Sequence, residues 1–184
     1  HAIQGAYLAG IPRFWSEGTA TWAEERVFPE QNDYERFLSV YFRSIDRPLD
    51  HEQSGNLADS FPYATAIWPT FLAQRFDPAV ITDIFEALAR RGAQATDPGD
   101  IDFWSVTDDI LEDRGSSLEE AFTEFALWNL LTGERRAAGS DQLGYDGADT
   151  WWMAEVTPLA WADRPADGPL ATVESDLRHL TAEY

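Results

Sequence analysis

The 184 residues suffice for one domain with its own core: 44% are hydrophobic and 14% aromatic, which excludes global disorder. Acidic residues outnumber Lys plus Arg by 33 to 13, a net charge of −20, and lysine is absent, so arginine supplies all thirteen. Such a surface repels phosphate backbones and anionic headgroups, so neither nucleic acid nor a membrane surface is an expected partner. Without cysteine there is no disulfide framework and no thiolate site, and any metal falls to His, Asp or Glu. No run of about eighteen apolar residues occurs, so no membrane insertion is expected.

In chain order the pattern is a series of helices. A short apolar helix over 1–9 ends near Gly10 and Pro12. A second spans 14–27, with Trp15, Thr19, Trp22, Ala23 and Val27 recurring at helical spacing and Pro29 as its stop. Asp33 opens a third, with an apolar stripe of Tyr34, Phe37, Leu38, Tyr41 and Phe42 reaching about Arg43. The stretch from Asp46 to Ser60 reads as a polar loop. Pro62 then opens one strongly apolar helix to Phe76, and Asp77-Pro78 starts another that ends at Arg91-Gly92. After a loop over 93–100, a helix runs from Ile101 to Arg114 with Gly115 as its cap. Ser117-x-x-Glu120 fits a capping box for a last helix before Gly133. Residues 1–133 therefore read as a helical unit. Residues 134–184 read as an irregular or extended tail leading toward a β-rich module. The fold class expected is mainly α.

Chemistry concentrates at the start of the chain. His1-Ala2-Ile3-Gln4 is followed by Trp15-Ser16-Glu17-Gly18-Thr19-Ala20. In HExxH zinc proteases two histidines one helical turn apart bind the metal, and the glutamate between them is the general base. His1 stands where the second histidine would be; the first histidine and the glutamate would lie four and three positions upstream. A glutamate third ligand comes from a second helix, and Glu17, sixteen positions after His1, lies where that helix begins. The short connection at Gly10-Ile11-Pro12 lets it turn back beside the first. Trp15 and Gly18 around the carboxylate point to a packed, close-approach site. Taken singly, His1 reads as solvated and Glu17 as an ordinary first-turn acid; the pair reads as zinc ligands. For an oxyanion-stabilising donor the candidates are Tyr63 and His51, although Tyr63 also reads as a core tyrosine and His51 as a solvated loop residue. His179 has no carboxylate context and no role.

His1-Ala2-Ile3-Gln4 together with the stretch Trp15 to Glu25 resembles secreted bacterial metalloproteases of the gluzincin type, which carry HExxHAxQ and then W-x-x-E-x-x-A-x-W-x-E. The likeness extends through Val27-Phe28-Pro29 and Asn32-Asp33-Tyr34 and covers roughly the first ninety residues. It implies the helical C-terminal part of a zincin-like metallopeptidase domain, zinc held by His1 and Glu17, a peptide or protein substrate, and an extracellular location. Many gluzincins orient the first histidine with an Asp four residues after the third ligand. Here Thr21 holds that position, and Glu24, one helical turn further, is the carboxylate available to substitute for it. Metzincins are excluded, since they need Gly at Gln4 and His at Tyr7. The alternatives are a catalytically inactive zincin-like scaffold and a helical protein-interaction domain. The residues preceding His1 separate the first of these from an enzyme, and the absence of a fixed repeat argues against a helical-repeat form of the second.

Overall fold

A computed structural model describes residues 1–7, 10–31, 33–51, 59–95, 97, 101–138 and 143–151. Every regular element among them is helical, so the fold is mainly α as expected. In chain order they are α1 (Ala2–Tyr7), α2 (Arg13–Val27), a 3₁₀ turn (Pro29–Gln31), α3 (Asp33–Phe42) and α4 (Phe61–Ala64). Then come α5 (Ile67–Arg75), α6 (Ala79–Gly92), α7 (Phe103–Glu112), α8 (Leu118–Leu130), α9 (Glu134–Ala138) and a 3₁₀ turn (Ala148–Thr150).

The helix starts follow local chemistry. Asp102 caps α7 by accepting from the N–H groups of Trp104 and Ser105, and Asp77 accepts from Ala79 N at 2.7 Å at the head of α6. Ser117 accepts from Glu120 N, as in a capping box, but Glu120 reaches back to the Ser116 hydroxyl, so the box is only half closed. At the end of α7 Gly115 takes φ +75°, and Ser116 N bonds the Leu111 carbonyl, the six-to-one closure that a left-handed residue permits.

Helix α2 lies across α3, α4 and α5; α6 packs on α5, α7 and the short α1; α8 packs on α7. The core between them is aromatic. The fully buried Trp68 meets Phe71, Phe125, Phe122 and Trp104 at ring separations of 5.1–6.2 Å. Helix α6 buries Val80, Ile81, Ile84, Phe85 and Leu88, the stripe its sequence period predicts.

Three expectations change. The helix expected from Pro62 to Phe76 is two helices broken at Thr65–Ala66. A continuous helix would press the Pro69 ring against the Thr65 carbonyl and leave that carbonyl without its donor. The break puts Pro69 in the first turn of α5, and Trp68 N bonds the Thr65 carbonyl instead. In α2 the buried face is Phe14, Trp15, Gly18, Thr19 and Thr21, while Val27 is exposed, because the small residues turn toward α4. After residue 133, the 134–138 stretch is a helix rather than irregular chain. Tyr145, Ala148 and Trp151 are buried in the same core as the helices before them. The expectation of a β-rich module falls on residues outside those described.

Candidate metal centre

The turn at Gly10, with φ +89°, and Pro12 brings α2 back along α1, as the short connection predicts. His1 immediately precedes α1 and Glu17 is in the second turn of α2. The His1 imidazole Nε2 lies 3.1 Å from Glu17 Oε2. The two side chains differ in burial: His1 is 60% exposed and Glu17 only 16%. Glu17 Oε1 faces the Arg13 guanidinium, one turn earlier, at 3.9 Å.

Gln4 determines how the imidazole is presented. Its amide nitrogen donates to the Ser16 carbonyl and to Thr19 Oγ1, both at 2.8 Å. Thr19 spends its own proton on the Trp15 carbonyl at 2.6 Å, so it can only accept from Gln4. The amide oxygen of Gln4 therefore faces His1 Nδ1 at 2.8 Å, and that nitrogen is the donor. In the neutral ring this leaves a lone pair on Nε2, turned to the glutamate. The sequence reading quoted Gln4 in its motif without a role. Its spacing of three from His1, one helical turn, was the available signal.

Glu17 Oε2 is buried and has no hydrogen-bond partner, although Nε2 is 3.1 Å away. The contact is close without being aligned as a hydrogen bond. Two acceptors at this range repel unless a cation or proton lies against both. Zinc bonds to nitrogen and oxygen of about 2.0–2.2 Å at a tetrahedral angle hold two ligands about 3.3 Å apart, near the separation seen. The donor set thus fits a zinc ion to the extent of two ligands. Among the described residues, no three His, Cys, Asp or Glu side chains converge.

The other candidates lie elsewhere. Thr21 is buried one turn beyond Glu17, where it offers a hydroxyl and no carboxylate. Glu24 is exposed two turns along α2, about 10 Å up the axis from Glu17. Tyr63 is half-buried and stacks on Phe37 of α3, ring centroids 5.4 Å apart, outside the buried core. His51 is exposed in a turn, and His179 lies outside the described residues.

Beside His1 opens a cleft of about 350 Å³ between α1, α2 and α6, with Ile3, Tyr7, Trp22, Ile81 and Phe85 as its apolar walls. Glu17 is not part of that lining, so the cleft adjoins the pair rather than containing it. Comparison of the chain with models of known protein families, with curated proteins and with solved structures finds no match.

Proposed function

We propose that this chain is the helical, ligand-bearing part of a gluzincin-type zinc metallopeptidase, in which His1 and Glu17 are two of the three protein ligands. The observation that carries the reading is the buried, unpartnered Glu17 Oε2 set 3.1 Å from an imidazole nitrogen whose lone pair Gln4 turns toward it. The reading takes the first histidine and the glutamate base from residues preceding His1. When bound, zinc supplies a water acidic enough to attack a peptide carbonyl near neutral pH. The chain's own residues bind and orient. Gln4 fixes the His1 tautomer and ties α1 to α2, and Arg13 balances the charge of Glu17. The apolar cleft opens on one flank of the pair, with His1 in its lining.

A second reading, a zincin-like scaffold without catalysis, draws support from Thr21, a buried hydroxyl where many gluzincins use a carboxylate. Metal analysis separates the two. The experiment is mass-spectrometric metal content of the protein carrying its preceding residues, with and without Glu17→Ala. About one zinc per chain, lost in the variant, is expected. No zinc after metal-replete purification would leave Glu17 as a second-turn acid paired with Arg13.

A further inference from the structure

A second cleft, of about 190 Å³, lies between α2, α3, α5 and the 143–151 segment, and the zinc reading makes no use of it. Its floor is formed by buried Tyr34, Thr70 and Trp151, and its rim carries Glu25, Glu35 and Asp146 against one guanidinium, that of Arg26. Tyr34 is 5% exposed, and its hydroxyl has no hydrogen-bond partner. The adjacent Thr70 hydroxyl donates instead to the Ala66 carbonyl at 2.8 Å. Burial pushes the phenol well above its ordinary range, and the Glu25 charge adds to that against the Thr70 hydroxyl, so Tyr34 stays a neutral O–H able to accept from an N–H group.

The walls already hold a cation of this kind. The Arg26 guanidinium sits 5.4 Å over the Trp22 ring at the rim, while on the floor the Tyr34 and Trp151 rings meet at 5.7 Å. Two neighbouring rim carboxylates, Glu35 and Asp146, are exposed. A hard divalent cation prefers a full shell of oxygens, which aromatic walls do not provide. The volume is below the roughly 300–1,000 Å³ of clefts that take drug-sized ligands, and suits a single head group with a short stem.

We infer that this cleft binds a small organic cation, a guanidinium or primary ammonium, between the carboxylates of Glu35 and Asp146, with the Tyr34 oxygen accepting at the floor and the tryptophan rings as walls. Neither the fold of the cleft nor this inference depends on zinc. The direct test is calorimetric titration of the whole chain with n-butylguanidinium and with n-butylurea, its neutral isostere. Saturable binding of the cation alone is expected, weakened about tenfold in the double variant Glu35→Gln, Asp146→Asn and by added salt. Both substitutions are at exposed positions, and circular dichroism with an unchanged melting temperature verifies the fold. Equal heats for the two probes would reduce the cleft to an apolar surface. A response to the cation that never saturates, or that the double variant leaves intact, would reduce it to diffuse attraction by a chain of charge −20. An arginine capped at both ends serves as a third probe: if it binds like butylguanidinium, the cleft takes peptide side chains, and if it is excluded while butylguanidinium binds, the cleft takes small free cations. Absence of heat with every cationic probe would leave only a hydrated cleft and overturn the inference.

Discussion

Replacing Gly18 by alanine sets two effects of opposite sign against each other. In the interior of an exposed helix the change favours folding by about 1 kcal/mol, through backbone entropy and helix propensity. Here the new Cβ would fall 2.8 Å from Thr65 Oγ1, 3.2 Å from the Thr65 carbonyl carbon and 3.3 Å from Ala66 N. The hydroxyl is not free to swing away, since Thr65 Oγ1 lies 2.8 Å from the Phe14 carbonyl and 2.6 Å from that of Pro62, joining α2 to α4 in the core. The other two atoms are backbone of the α4–α5 break. Overpacking of this kind costs about 1–3 kcal/mol, and losing the buried hydroxyl contact costs about 1–3 more. Against the propensity gain the net is a destabilisation of about 3 kcal/mol, or roughly 6–12 °C in melting temperature for a chain of this size. Urea unfolding followed by circular dichroism reads it as a lower midpoint at unchanged slope. Adding Thr65→Ala removes the nearest contact, so the double variant should lose less than the sum of the singles. A Gly18→Ala protein as stable as the parent, or more so, would refute the close approach of α2 to α4. That approach also sets the rotation of α2 that presents Glu17, the preceding residue, to His1.

Asn129 is fully buried; its Oδ1 accepts from the Tyr145 hydroxyl at 2.7 Å and its Nδ2 donates to the Tyr41 hydroxyl at 3.3 Å. Asn129→Ala removes two buried hydrogen bonds and should cost about 1–3 kcal/mol in urea unfolding; a loss under about 0.5 kcal/mol would show that the network carries no weight. Tyr34→Phe removes a hydroxyl that has no partner, so stability should hold or rise by about 1 kcal/mol. A fall of more than about 1 kcal/mol would mean the hydroxyl is bonded. Arg47 hydrogen-bonds the Asp59 carboxylate and holds it below its ordinary value of 3.8 against the cost of burial, with help from the Phe61 N–H at 3.1 Å. A carboxyl depressed in the folded state contributes stability above about pH 4 that is lost as pH falls through its folded value. Asp59→Asn should therefore flatten the fall of stability below pH 4, measured as urea midpoints across that range. Identical acid limbs in the two proteins would contradict the pairing.

What was legible in the sequence follows the range of the forces involved. The period of α6, the Ser117 cap and the left-handed Gly115 are decided within a turn or two of chain, and they appear where the residues placed them. The proximity of His1 to Glu17 belongs to the same class, because a short return through Gly10 and Pro12 leaves little freedom in how the start of α2 meets α1. The break before α5 is also local: Pro62 suits a helix start, but Pro69, seven residues on, bars one continuous helix through Thr65. The burial of Tyr145 and Trp151 could not be read in the same way. Their glycine-rich surroundings suit a loop, and the partners that bury them come from far back in the chain: Trp128, Asn129 and Tyr34.

The orientation of the His1 ring sits between these cases. Which nitrogen faces Glu17 depends on Gln4, and Gln4 is set by Ser16 and Thr19 on the opposite helix, so the sequence points to His1 and Glu17 as a pair without stating its chemistry. Only the packed helices show that the amide, with both its polar ends committed, leaves the imidazole nitrogen facing the carboxylate as an acceptor. A pair in that state holds a cation or pays for its repulsion. For this reason a metal measurement bears on the function more directly than any assay of proteolysis.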